Sequence, residues 1–305
     1  MSETSHIWSV GSGTTPRICA GTDATASVVL TRSVSGKLNI GREKIMTILD
    51  EIAAYARERV KVAKEAHPLS EIMEEAYKLP KGELVFKKAL LKDDISFICE
   101  CKKASPSKGV IAEDFPYLQI ACDYEKAGAD AISVLTEPKW FLGKDAYLKE
   151  ITSTVGIPVL RKDFTVDEYM IYEAKLLGAS AVLLIVAILS DDELKRYSAI
   201  CDELGLSALV ECHDEREIEK ALNAGAGIIG VNNRNLKDFS VDISLGKKLR
   251  KCVPEGVAYV SESGVKEKED IDLLREIGAD AVLVGETLMR AEDKAEKLRA
   301  LKGSI

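Results

Sequence analysis

The chain is poor in histidine and in aromatic residues. His6, His67 and His213 are its three imidazoles, and Phe, Trp and Tyr together make up 6% of 305 residues. With no H-E-x-x-H, no C-x-x-C and no Cys/His cluster, the sequence argues against a zinc site and any other bound metal. The seven cysteines (Cys19, Cys99, Cys101, Cys122, Cys201, Cys212 and Cys252) are odd in number and scattered. That pattern implies reduced thiols in a cytoplasmic protein rather than a disulfide framework. No apolar run reaches the roughly 18 residues needed to span a bilayer, so no membrane partner is expected. There is also no long Lys/Arg block. With a net charge of −8, the chain is a poor candidate for binding nucleic acid.

What is abundant is Ala, Val, Ile, Leu and Gly, within a 46% hydrophobic fraction. Few aromatics and many aliphatics suit an α/β protein, whose parallel strands are buried on both faces. Residues 1–45 stand apart: Ser-, Thr- and Gly-rich, without helical or strand period and without the basic start and apolar core of a signal peptide. They are read as a disordered or non-native extension, and 46–305 as the catalytic domain. Met46 opens MTILDEIAAYARERVKVAKEA, where Ile48, Leu49, Ile52, Ala53, Tyr55, Ala56 and Val60 form a helical stripe. A second helix is expected over 69–79, after Pro68. These N-terminal helices occupy 46–90, ahead of the repeating part.

From residue 95 a rhythm sets in. Eight short apolar runs occur: ISFICE (95–100), AISVL (131–135), PVLRK (158–162), AVLLI (181–185), SALVE (207–211), IIGVN (228–232), AYVSE (258–262) and AVLVG (281–285). Their starts lie 21 to 36 residues apart, the length of one βα unit. A glycine leads into four of the strands: GADAISVL, GASAVLLI, GAGIIGV and GADAVLVG. Eight such units predict a closed (β/α)8 TIM barrel with extra N-terminal helices. An open doubly wound sheet would carry G-x-G-x-x-G after its first strand, and none is present.

In such a barrel chemistry sits at the C-terminal ends of the strands. Here those ends are polar: Glu100 with Lys102 two residues on, Lys162, Glu211, Asn232, Glu262-Ser263-Gly264, and Gly285-Glu286. Two lysines and three glutamates at one barrel mouth are costly to desolvate unless used or paired. Period-two alternation puts Glu100 and Lys102 on one side of the first strand, facing the barrel axis, and turns Lys103 outward. The last two loops, SESG and VGETL, place small residues at helix starts, where backbone N–H groups hold an anion such as a phosphate. Trp140 and Phe141, in the loop TEPKWFLGK, either pack on neighbouring helices or wall a flat apolar ligand. His213 is read as structural or solvent-facing.

Together ECKKASPSKG, SVLTEPKWFLG, PVLRKDF, LLIVAIL, LVECHDE, GVNNRNL, SESGV and LVGETLMR resemble, in order, the signatures of the indole-3-glycerol phosphate synthase family. The resemblance spans about 46 to 300, and MTILDEIAAYARERV is similar to that family's start. It implies a carboxy-lyase of tryptophan biosynthesis acting on 1-(2-carboxyphenylamino)-1-deoxyribulose 5-phosphate without cofactor or metal. It further implies Lys162 as the general acid at the ketone, and Lys102 as holder of the substrate carboxylate and acid in the dehydration. Glu211 would be the base, Glu100 would hold Lys162 or substrate hydroxyls, and Asn232, Glu262 and Ser263 would orient the sugar. Phe141 would pack on the anthranilate ring and Arg234 would line the site. Ser105, Gly264, Gly285 and the Glu286 backbone would hold the phosphate, with the Ser-Pro-Ser-Lys-Gly loop closing over the mouth. The expected partner is a small phosphorylated molecule, and the expected state a monomer or weak homo-oligomer. The related isomerase of phosphoribosylanthranilate commonly uses Cys and Asp, where this chain has Glu and Lys. A non-catalytic phosphometabolite-binding barrel would lack one of the catalytic residues.

Overall fold

The computed structural model describes residues 29–32, 38–41, 46–235 and 240–303. It divides into two units, 1–45 and 46–305. Within the first, Val29–Arg32 and Leu38–Gly41 pair as two short antiparallel strands. The expectation of disorder there otherwise falls on residues outside those described.

The second unit begins with three helices. α1 (Ile48–Ala66) is started by a capping box in which Thr47 Oγ1 accepts from the Asp50 N–H at 3.2 Å and Asp50 answers to the Thr47 N–H at 2.9 Å. α2 (Leu69–Lys78) follows Pro68, and α3 (Val85–Leu90) is short. The first two occupy the predicted positions. α3 went unrecognised as a helix because six residues show too little of a helical period.

Eight strands follow: β1 (Ser96–Cys101), β2 (Ala131–Leu135), β3 (Val159–Lys162), β4 (Ala181–Ile185), β5 (Ser207–Cys212), β6 (Ile228–Asn232), β7 (Ala258–Glu262) and β8 (Ala281–Val284). All neighbours are parallel and β8 closes back onto β1, giving a (β/α)8 TIM barrel. The intervening helices include α4 (Tyr117–Lys126), α5 (Asp145–Thr152), α6 (Tyr169–Leu176), α7 (Asp191–Leu204) and α8 (Glu215–Asn223), and later α9 (Ser244–Leu249), α10 (Lys268–Glu276), α11 (Glu286–Arg290) and α12 (Lys294–Lys302).

The pleat sorts each strand's side chains. Phe97, Cys99 and Cys101 face the helical layer, while Ile98 joins Leu160, Leu183, Leu209, Val260 and Leu283 inside the barrel. Phe86 and Leu90 of α3 belong to this inner cluster and are fully buried. Two residues beyond Ile98, Leu160, Leu209 and Val260 come Glu100, Lys162, Glu211 and Glu262. Alternation therefore places four charges in one layer above an apolar plug. Among the described residues, no helix is long and apolar enough to cross a membrane.

Candidate active site

The mouth of the barrel holds a cavity of about 890 Å³. Its lining includes every site residue the sequence singled out: Glu100, Lys102, Lys162, Glu211, Asn232, Glu262, Ser263, Ser105, Phe141, Arg234, Gly264, Gly285 and Glu286. Nothing about their spacing along the chain, over nearly 190 residues, brings them together. Barrel closure does.

The charges form two groups. In the first, Lys102 Nζ donates to Glu100 Oε1 at 2.6 Å, and Ser133 Oγ donates to Glu100 Oε2 at 3.3 Å. Burial pushes the Glu100 carboxyl up, but Lys102 and Lys162 outweigh it and hold the group below its ordinary range. Glu100 thus makes its direct ion pair with Lys102 and acts on Lys162 through charge alone. In the second, Lys162 Nζ lies 3.4 Å from Glu262 Oε2 and 3.5 Å from Glu211 Oε2. Burial favours the neutral amine, yet Glu262, Glu211 and Glu100 together raise the proton affinity of Lys162 above normal. It is therefore a protonated amine in the resting site. Glu262 answers in the other direction: burial, with Glu211 and Glu100 nearby, pushes its carboxyl up against the pull of Lys162. Its Oε1 is buried without a hydrogen-bond partner, an oxygen left over for a ligand.

Asn232 joins three loops. Its Nδ2 donates to Glu211 Oε1 at 3.2 Å, and its Oδ1 accepts from the Arg234 N–H and from Ser263 Oγ, both at 3.0 Å. Ser263 adopts φ 68°, a left-handed backbone that costs a residue with a Cβ, immediately after Glu262. Two glycines make room for the carboxylates. A Cβ at Gly230 would sit 2.2 Å from Glu262 Oε1, and one at Gly285 would sit 2.4 Å from Glu100 Oε1 and 2.9 Å from Lys102 Nζ.

At one side of the cavity Glu286 meets three cations: Arg290 at 3.0 Å, Lys108 at 3.8 Å and Arg234 at 3.9 Å. Ser105, Gly264 and Gly285 belong to the same lining. Pro106–Lys108 form the turn expected of the Ser-Pro-Ser-Lys-Gly stretch. Its flanks pair as a two-residue ladder, Ala104–Ser105 against Gly109–Val110. Phe141 also lines the cavity, 6.0 Å from Phe164 between ring centroids. Trp140 instead packs edge-on against Tyr55 of α1 at 5.6 Å, with Lys139 over its ring at 4.4 Å. Of the two adjacent aromatics, Trp140 thus packs on a neighbouring helix and Phe141 lines the cavity.

Two contributors were not singled out from the sequence. Glu137 is buried and accepts the N–H groups of Lys139, Trp140 and Phe141 at 3.0, 2.7 and 3.0 Å, which shapes the loop carrying Phe141. Asp163, next to Lys162, is gripped by Arg59 from α1. His213, expected to be structural or solvent-facing, lies between the carboxylates of Glu211 and Glu217. Each depends on partners distant in sequence or on a fold-back within a loop, which periodicity does not report. Among the described residues no group of three or more His, Cys, Asp or Glu side chains is arranged to hold a metal ion.

A family model described as indole-3-glycerol phosphate synthase matches residues 49–301. A protein of that description from Ruminiclostridium cellulolyticum is 57% identical over 258 residues, covering 84% of this chain and 99% of its own. Another, from Endomicrobium trichonymphae, is 56% identical over 256 residues with the same coverage. Among solved structures, KGPDC from Streptococcus mutans superposes with a TM-score of 0.55 at 13% identity, covering 70% of this chain and 97% of that one. Thiamine phosphate pyrophosphorylase from Pyrococcus furiosus gives 0.53 at 16%, covering 72% and 96%. These two likenesses concern the barrel alone.

Proposed function

Because the chain belongs to the indole-3-glycerol phosphate synthase family, we infer that its barrel mouth carries out that family's reaction. The enzyme is a carboxy-lyase of tryptophan biosynthesis. It closes the ring of 1-(2-carboxyphenylamino)-1-deoxyribulose 5-phosphate and releases carbon dioxide and water.

The observation that carries the assignment of roles is Lys162, a protonated amine held between Glu262 and Glu211 at the floor of the cavity. The ring carbon bearing the carboxylate attacks the ketone, and its electrons move onto the ketone oxygen. A proton must arrive there, and Lys162 is the donor. Carbon dioxide then leaves with its bonding electrons returned to the ring. Loss of the new hydroxyl as water needs a proton for the oxygen and a base for the neighbouring hydrogen. Lys102 supplies the first and Glu211 accepts the second. Glu100 aims Lys102, which also holds the substrate carboxylate. Asn232, Ser263 and the spare oxygen of Glu262 orient the sugar hydroxyls. Phe141 offers its face to the aryl ring. Ser105, Arg234 and the backbone of Gly264, Gly285 and Glu286 take the phosphate, in the part of the lining where Lys108 and Arg290 add positive charge. The substrate's aryl nitrogen provides the electron push, so the scheme needs no cofactor. A cytoplasmic monomer or weak homo-oligomer is the form proposed.

Turnover of the carboxyphenylamino-deoxyribulose phosphate, followed by indole fluorescence, tests this. The wild type is expected to form product, and Lys162→Ala to lose about 10²- to 10⁴-fold in kcat while still binding substrate. A wild type that binds the compound without making indole would overturn the assignment.

A further inference from the structure

His213 follows β5 directly, one residue past the end of the strand that carries Glu211. Its N–H donates to Glu217 Oε2 at 2.7 Å, and its Nδ1 lies 3.1 Å from the same oxygen. A carboxylate only accepts, so Nδ1 carries the proton there. The ring is fixed by these two contacts, and its Nε2 faces Glu211 Oε1 at 3.4 Å. That nitrogen is buried and makes no hydrogen bond, so its approach to Glu211 is a contact between charges. The result is a chain of three groups, Glu217 to His213 to Glu211, running from the first turn of α8 to the barrel axis.

We propose that His213 is a positioning residue for the reaction, holding Glu211 through Nε2 while Glu217 fixes the ring through Nδ1. The inference rests on the reading of Glu211 as the base.

In the resting site Glu211 faces two cationic or potentially cationic groups, Lys162 at 3.5 Å and His213 at 3.4 Å. Once Lys162 has given its proton to the ketone oxygen it is neutral. The dehydration that follows needs Glu211 ionised and in place, and Lys162 no longer contributes a charge to hold it. His213 does. The charged groups that favour its imidazolium are Glu217 on α8, Glu211 on β5 and Glu262 on β7, acting against burial. Asn232 holds Glu211 from β6 but brings no charge. An interaction that matters after substrate is bound and the first proton has moved should appear in kcat rather than in KM.

Steady-state kinetics of the full chain, with Tm measured in parallel, test the idea on His213→Ala, His213→Gln and Glu217→Gln. His213→Ala is expected to lower kcat about 10-fold or more with KM within about twofold. The acid limb of its kcat profile should move to higher pH, because the lost cation no longer favours an ionised carboxylate beside it. His213→Gln offers Glu211 a neutral donor, so it should regain part of kcat while keeping the displaced limb. Glu217→Gln should displace the limb in the same direction by less. A His213→Ala enzyme with unchanged kcat and pH profile overturns the proposal. So does a kcat loss that tracks the folded fraction in all three variants with the limb unmoved. A wild type inactive on the substrate would instead defeat the functional reading itself.

Discussion

Arg59 of the first helix grips Asp163 with both terminal nitrogens, NH2 to Oδ1 at 2.6 Å and NH1 to Oδ2 at 3.2 Å. Asp163 is fully buried and follows Lys162 directly in the chain. Thr136 donates to the same carboxylate at 2.7 Å. A helix outside the eightfold repeat is thereby fastened one residue from the proposed acid.

Removing that grip leaves a buried charge without its bidentate partner. Arg59→Ala is expected to destabilise the barrel by about 3–5 kcal/mol, read from denaturant unfolding. Burial raises the Asp163 carboxyl, but Arg59 and Arg161 outweigh it and hold it below its ordinary value. The linked stability is therefore present above the ordinary value of about 3.9 and is lost as pH falls through the lower folded value. Scans of Tm from pH 6 downward should show the variant losing its fold at a higher pH than the wild type. Coincident acid limbs would mean that the ion pair contributes nothing.

Glu262 has the opposite sign. Burial, with Glu211 and Glu100 nearby, pushes its carboxyl up to about 7. A raised folded value favours the native state below the unfolded value of about 4.3, and that advantage fades as pH climbs through the folded value. The Tm of the wild type relative to Glu262→Gln should therefore fall between roughly pH 4.3 and 7. Activity should rise across the same window, since the ionised carboxylate is what steadies charged Lys162. A kcat/KM profile whose ionisation near neutrality persists in Glu262→Gln would assign it to another group.

Glu137 is the organiser of the Phe141 loop. Glu137→Ala would remove the acceptor of three part-buried N–H groups, at a cost of about 1–3 kcal/mol in all. Because Phe141 is the proposed wall for the aryl ring, KM should rise more than kcat falls. Equal loss in both parameters would point to a loop that matters only for folding.

A chain beginning at Met46 is expected to fold with an unchanged Tm and to keep full turnover. The capping box of α1 uses Thr47 and Asp50 alone, so the helix start survives the cut. A large fall in kcat for this shorter chain would give residues 1–45 a part in the reaction.

Much of this was legible in the residues themselves. The eight apolar runs coincide with the eight barrel strands to within a residue or two at their ends. The period of two put Glu100 and Lys102 on one side of the first strand, where they meet at 2.6 Å, since strand geometry is local and repeats along any extended chain. The α3 plug was not legible, because Phe86 and Leu90 acquire meaning only against the inner face of a closed barrel. Nor was the ladder flanking the Pro106–Lys108 turn, whose two-residue strands are too short to show alternation.

The sequence by itself determined the element order, the fold class and which strand ends carry charge. Those properties follow from hydrophobic period, turn residues and the fixed geometry of the backbone. Tertiary structure alone decided which charge answers which: Lys162 to Glu211 and Glu262, and Arg59 to Asp163. Electrostatic and hydrogen-bond energies depend on distance and burial in space. Barrel closure sets both, joining residues that no spacing along the chain relates.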